Sequence, residues 1–524
     1  MAGEHSDARA TDRLRWLQHA VAYELVPATF ADGSGDGYGD LAGVRDRLDY
    51  LAALGVNLIV LGPVFPSAGR HGNWDITDPL AVEARLGGAE ALSALIDAAH
   101  ERDIRVALDV LVGHLSIDSA LFQQAQQASA AAQRFIWHPD PYHQEAAGIR
   151  FTPASATLGS YGWVTHPGQA RLNYGFARVS ETWQASLSDP GPSANRQALE
   201  ALLSHWLESG VDALRVLDPA ALVAADPDAT ANRHLWRTIT SSIRSRFPDR
   251  ALLACWGQPE LAADAGFDLD LDAGHSGSGQ ALLYGPAGYF RRPRTDFSAF
   301  ERRFQWQYRR CDDSCLIAIP TGGAAIGRLQ ADPGAQLPEA RLKLAFGFML
   351  TWPQLPWLYY GEEIGMRAVP GMDAPGGPFA GSAGRAMMMW EPGPDGGFSS
   401  VKPDPALPQD THADRPDVAT LRADRNGLWH HVERLIYLRS TEADLAPAAE
   451  LALLECPAKS GALLYRRGAH LLVALNPGLA TETLDLPPLG DVVPVLQQNC
   501  QLQSADGGWR VRLNQAGFGI YSTR

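Results

Sequence analysis

The stretch from Gly210 to Leu222, GVDALRVLDPAAL, reads as the end of a buried strand that carries charge into a pocket: Arg215 stands among apolar residues and Asp218 follows at the exit. Strand alternation puts Arg215 and Leu217 on one face and Asp218 on the other. The position that shares the arginine's face, where a reacting group belongs, is therefore a leucine. A one-residue bulge would re-aim Asp218 inward. Pro219 instead favours an extended Asp218, which then reads as a strand-end carboxylate capping the next helix. A second chemical pattern lies in DGSGDGYGDL. Asp32, Ser34, Asp36, the Tyr38 carbonyl and Asp40 fall at alternate positions with glycines between them, the spacing by which oxygen ligands wrap a calcium or magnesium ion. Gly43 stands where an EF-hand would carry its last glutamate. The loop is expected to hold a structural Ca2+ (or Mg2+), the alternative being a tight glycine-rich turn with solvated acids. No organic cofactor is indicated.

The elements that must position these residues are short apolar runs. AVAYELV, VNLIVLGPVF, IRVALDVLVGH, VDALRVLD, ALLACWG, FDLDLD, SCLIAIP and PWLYYGEEIG make eight, separated by amphipathic segments such as GAEALSALIDAAHERD. Eight strands alternating with helical crossovers predict a closed (β/α)8 barrel, an α/β TIM barrel. Nearly a hundred residues follow His114 before the next strand, too many for a loop, so an inserted subdomain is expected after the third strand. Beyond the helix GLWHHVERLIYLRST the pattern alternates, predicting a C-terminal antiparallel β domain. The expected organisation is an N-terminal extension over 1–20, the barrel over 21–114 and 189–441, subdomain B over 115–188, and a C-terminal β-sandwich over 442–524. The glycine- and proline-rich stretch 369–401 is expected to be a long loop on the barrel's active face.

Bulk properties exclude several classes of function. The chain of 524 residues is 46% hydrophobic and 20% charged, as in a globular protein, and carries a net charge of −15, which repels nucleic acid and anionic membranes. Its five cysteines are sparse, and Cys311 and Cys315 lack a second pair to complete a metal site. Neither a signal-peptide core nor a membrane-length apolar run is read from the sequence. A cytoplasmic protein with no nucleic-acid or membrane partner is the expectation.

With this architecture, the strings YELVPATFADGSGDGYGDLAGVRDRLDYLAALGVNLIVLGPVFPS, YYGEEIGM and GGFS resemble glycoside hydrolase family 13, the α-amylase family, and within it the branch of oligo-1,6-glucosidases, sucrose-acting enzymes and trehalose synthases. The resemblance runs from Val21 to the C-terminus. It implies a retaining mechanism, which needs two carboxyl groups about 5–5.5 Å apart, and a third carboxylate that grips the distorted sugar. The family's nucleophile position is Leu217 here, its acid/base position at the end of LLAC is Cys255, and its Asn-His-Asp triplet corresponds to Thr321, Gly322 and Gly323. Neighbouring strings differ too: Gly113 precedes His114, Gln184–Ser188 replaces Gln-Pro-Asp-Leu-Asn, and Arg385–Trp390 reads RAMMMW. The branch also binds a metal in the loop of Asp32–Asp40.

Positions that contact the terminal glucose in this branch keep their residue type: Asp75, His114, Arg215 and Arg385, with Trp74 in place of a stacking tyrosine. The structural alternative is that Arg215 pairs with Asp75 or Asp109 to neutralise a buried charge, that His114 is a satisfied core histidine, and that Cys255 is a small core residue. Three readings follow. The first is a catalytically inactive homologue that binds an α-glucoside or oligosaccharide and serves a regulatory or partner role, beside an active family relative or by self-association. The second is an active α-glucosidase or glucosyltransferase that uses Asp218 as a displaced nucleophile. The third is an interaction scaffold without a sugar site, its pocket plugged by Met387–Met389.

Overall fold

The structure, a computed structural model, describes residues 15–523 except 128, 156, 293–295, 312–313, 331–335, 370–383, 456–460, 488–489 and 506–507. Most of the predicted N-terminal extension, and 370–383 of the predicted long loop, thus lie outside the described residues. Eight strands, β1 (Ala22–Leu25), β2 (Leu58–Leu61), β3 (Arg105–Leu111), β4 (Ala213–Leu217), β5 (Ala251–Cys255), β6 (Leu269–Leu271), β7 (Leu316–Ala318) and β8 (Trp357–Tyr359), pair in parallel in chain order. Trp357 pairs with Ala22, and a parallel bridge from Ala318 to Leu355 closes the ring. The architecture is the predicted (β/α)8 barrel.

Strand alternation decides what the barrel encloses. Ala22, Leu58, Val60, Ala107, Ala213, Ala251, Leu253, Leu269, Ala318 and Trp357 form one interior cluster. Two residues on, in the same inward register, come Glu24, Asp109 and Arg215. The opposite faces meet the helices. Helix Gly88–His100 buries Leu92, Leu95, Ile96 and Ala99, the i, i+3, i+4, i+7 stripe of an amphipathic helix.

The insert begins within β3's own exit. Strand His114–Ser116 pairs with Gln169–Arg171, and the antiparallel sheet continues through Gly159–Trp163 and Ile149–Ser155 to Glu145–Ala146. The chain rejoins the barrel at helix Pro190–Glu208, which starts on a proline, the residue suited to a first turn with no hydrogen bond to lose.

Beyond helix Leu428–Thr441, strands β9 (Leu451–Glu455), β10 (Leu463–Arg467), β11 (Leu471–Asn476), β12 (Glu482–Asp485), β13 (Val493–Ala505) and β14 (Gly508–Ser522) form one antiparallel sheet. The 15-residue β14 is long enough to take β11 and β12 along one edge and β13 along the other. This is the antiparallel β domain expected from the alternating pattern. The domain is locked to the barrel through helix Glu339–Thr351: Arg467 Nη1 donates to the Thr351 carbonyl (2.5 Å), and the Thr351 and Tyr465 hydroxyls share a hydrogen bond. A Cβ on Gly347 of that helix would lie 2.7 Å from ring carbons of Phe518. Gly347→Val is therefore expected to destabilise the protein by about 1–3 kcal/mol through overpacking, read as a lower urea midpoint.

Candidate functional site

Arg215 is the polar centre of the barrel. Its Nε donates to Asp109 Oδ1 (2.5 Å) and its Nη2 to Asp109 Oδ2 (2.7 Å), while Nη1 reaches Glu24 Oε2 (2.5 Å). All three side chains are buried. Glu24 also accepts from Trp357 Nε1 (2.9 Å) and the Ala324 amide (3.1 Å). Burial penalises ionised Glu24, but the guanidinium outweighs it and holds the carboxyl below its ordinary value. At Asp109 burial wins, helped by the charge of Glu24, and the carboxyl sits above its ordinary value against the pull of Arg215. Two carboxyls on one guanidinium leave this layer with room for one extra proton. Asp75, offered by sequence as an alternative partner, pairs with Arg70 instead (3.2 Å). Glu24 is the site residue that sequence reasoning missed. Its signal was a lone acid in the apolar run AYELV, in the inward register set by Ala22.

Above this layer the barrel opens into a cavity of about 550 Å3, within the size range of small-molecule sites. Leu111, Leu217, Cys255 and Leu271 make its floor. They come from adjacent strands in continuous register, with Leu217 opposite both Cys255 and Leu111. No bulge interrupts β4. Burial pushes the Cys255 thiol well above its usual range, so it is a neutral, free thiol rather than a nucleophile.

Asp218 nonetheless lines the cavity. Its backbone is left-handed (φ 52°, ψ 43°), not extended as the following proline suggests, and its side chain makes no capping hydrogen bond. The strand ends at Leu217 and the chain turns at once into the 3-10 segment Pro219–Ala221. Aspartate tolerates this conformation better than most residues, and the reversal overrides strand alternation. Desolvation by the walls raises its carboxyl above the ordinary value.

The other predicted sugar contacts divide into two groups. Trp74 and His114 line the cavity with Arg215. His114 bonds through Nε2 to the Trp74 carbonyl (2.9 Å), and burial lowers its pKa to about 4, so the ring is neutral near pH 7. Asp75 and Arg385 are buried outside the cavity lining. Asp75 is held by Arg70. Arg385 donates to the Gly72 carbonyl and places its guanidinium carbon 5.1 Å from the Trp74 ring centroid, close enough for a cation–π contact. The Met387–Met389 run is buried in the main core, away from the cavity wall.

Gly322 and Gly323 belong to a tight turn at the cavity wall, in which the Gly323 amide donates to the Gly327 carbonyl (2.8 Å). A Cβ at Gly322 would fall 2.3 Å from Glu362 Oε1. Glu362, buried after β8, accepts from Thr321 Oγ1 and from the Leu329 amide (2.6 Å), and so pins both ends of the turn. Burial raises its pKa to about 7.

The acidic loop is organised around its own backbone. Asp40 accepts from the Gly33, Ser34 and Gly43 amides, Asp32 from the Gly35 and Gly37 amides and Ser399 Oγ, and Asp36 from the Tyr38 amide. No group of three or more His, Cys, Asp or Glu side chains is gathered to hold a metal among the described residues. The carboxylates thus shape the turn through its backbone amides.

Comparison with known proteins agrees with this geometry. The alpha-amylase catalytic-domain profile matches residues 24–247. The chain is 25% identical to a glucan 1,6-alpha-glucosidase of Streptococcus pneumoniae over 93% of its own length and 95% of that protein. It is 27% identical to the trehalose synthase/amylase TreS of Mycobacterium tuberculosis over 74% of this chain and 68% of that one. An isomaltulose synthase mutant from Erwinia rhapontici, solved with its natural substrate sucrose, superposes with a TM-score of 0.78 at 20% identity, covering 97% of this chain and 99% of that one; at that identity the likeness speaks for the fold. The profile covers less than half of the chain, and the curated relatives it resembles along most of its length are named as a glucosidase and a trehalose synthase/amylase. Among the described residues no helix is long and apolar enough to cross a membrane.

Two expectations follow. The Glu362 pKa lies above that of an unfolded glutamate, so the folded state keeps a proton that the unfolded state releases. Stability from this group is complete below about pH 4.5 and is lost as pH rises to about 7, by up to roughly 3 kcal/mol. Glu362→Gln keeps both hydrogen bonds and should flatten the stability profile across that window in urea titrations. For the acidic loop, EDTA should leave the melting temperature unchanged; a drop reversed by Ca2+ would mean that the loop rearranges around a cation.

Proposed function

We propose that the barrel cavity takes an α-glucoside and holds it without hydrolysing it. One observation carries the reading: the neighbouring strand-end positions Leu217 and Cys255 are apolar or neutral and lie side by side on the cavity floor. Retaining hydrolysis needs two carboxyl groups about 5–5.5 Å apart. The only carboxylates lining the cavity, among the described residues, are Glu24 and Asp218, and Glu24 is bound to Arg215. The Cys255 thiol is too weak an acid to protonate a glycosidic oxygen, which leaves Asp218 as the one carboxyl near that floor for two roles. Trp74 supplies an aromatic edge, and His114 and Arg215 the polar end at which a sugar would lodge. The absence of a plug at Met387–Met389 speaks against a scaffold with a filled pocket. A role beside an active family relative, or in self-association, accords with binding without turnover.

A second reading is favoured by the left-handed turn that brings Asp218 to the cavity, and by relatives named as glucosidases and synthases: an active glucosidase or glucosyltransferase with Asp218 as nucleophile. Fluoride release from α-glucosyl fluoride separates the two, because fluoride leaves without a general acid. The expected result is no release above that of Asp218→Asn, together with calorimetric binding of isomaltose or sucrose that Leu217→Trp abolishes. Release that disappears in Asp218→Asn would establish the second reading.

A further inference from the structure

A second cavity, of about 680 Å3, lies outside the barrel wall, between β3's exit, the insert and helix Pro190–Glu208. Leu111 and His114 line it as well as the barrel cavity, so one layer of side chains separates the two spaces. Its volume is that of a small-molecule site, and its wall is dominated by apolar side chains, Leu115, Leu121, Leu172, Leu199 and Leu202 among them. Leu80, 51% exposed, stands in the same lining.

The polar groups in this lining are nearly all engaged elsewhere. Tyr174 donates to the Val112 carbonyl (2.8 Å), Ser119 accepts from the Phe122 amide, Asn195 donates to the Arg134 and Asn173 carbonyls, and Asp78 accepts from the Leu80 amide. Arg134 is the exception. It is half-buried, its Nε donates to Asn195 Oδ1 (2.8 Å), and it has no carboxylate partner among the described residues. Burial lowers its pKa, with only Tyr174 as a charge neighbour. Asp78 and His205 are exposed residues of the lining and leave that guanidinium without a counter-charge.

The geometry points to a second ligand site, in which a small molecule with an apolar body and one anionic group lays its body along the leucines and its carboxylate on Arg134. An unpaired guanidinium in a half-desolvated wall selects for an anion, and a carboxylate matches its fork of donors. The leucines select against a purely polar anion such as phosphate. This site is independent of the α-glucoside reading, since neither Arg134 nor Ala198 touches the barrel cavity.

The test uses the full chain and isothermal calorimetry with phenylbutyrate, an apolar carboxylate, and its uncharged counterpart phenylbutanol. Saturable phenylbutyrate binding is expected, with phenylbutanol about tenfold weaker, the difference a charge-assisted hydrogen-bond pair makes. Arg134→Gln should erase that difference. Ala198→Trp, at a half-buried position in the cavity wall, should abolish binding of both, while Leu217→Trp, which fills the barrel cavity, should leave both unchanged. Circular dichroism establishes that each variant is folded. No binding to the native chain, equal affinity for the two probes, or binding lost in Leu217→Trp but kept in Ala198→Trp would each overturn the proposal.

Discussion

The barrel is organised around one guanidinium. Arg215 is buried between Glu24 and Asp109, and a charge in that position persists only when it is paired and hydrogen-bonded. Removing the guanidinium leaves two buried carboxyls without a counter-charge, a loss of about 3–5 kcal/mol. That cost ties β1, β3 and β4 together at the level where their side chains meet. The same contacts that would orient a ligand-binding side chain here neutralise it.

What lies above the guanidinium differs in kind from what lies below. The floor of Leu111, Leu217, Cys255 and Leu271 places apolar and neutral groups at strand ends, where barrel enzymes carry their reacting side chains. The turn at Gly322–Gly323 is similarly occupied: Glu362 fills the space into which a side chain at Gly322 would grow. The polar groups that line the cavity are Glu24, His114, Thr165, His166, Gln169, Arg215 and Asp218, beside the ring of Trp74.

Trp74 sorts the conserved-type residues into two groups. Arg385 packs against its ring and Asp75 is held by Arg70, both outside the cavity lining, while His114 bonds to its carbonyl from the cavity side. Four residues of the expected type therefore do not make one site in this arrangement. The insert contributes to both cavities, Thr165, His166 and Gln169 to the first and Leu121, Arg134 and Leu172 to the second. That shared role gives it a functional reason to be placed against β3.

The sequence by itself determined the barrel, the position of the insert and the residue types at each strand end, because period-2 and period-3.6 patterns are local and survive in any environment. It also made Leu217 and Cys255 legible as floor residues, since alternation from Arg215 and Leu253 fixes the face. Three features were decided only by tertiary structure. The partners of Arg215 lie 106 and 191 residues away, and no local pattern says which acids on other strands will meet it. The direction of Asp218 depended on the strand ending one residue earlier, where a left-handed turn replaces alternation. The loop of Asp32–Asp40 has the spacing of a cation site, and its carboxylates accept from backbone amides of the same loop. Glycine-rich acidic loops support both outcomes, and what separates them is the direction in which the folded backbone points its N–H groups.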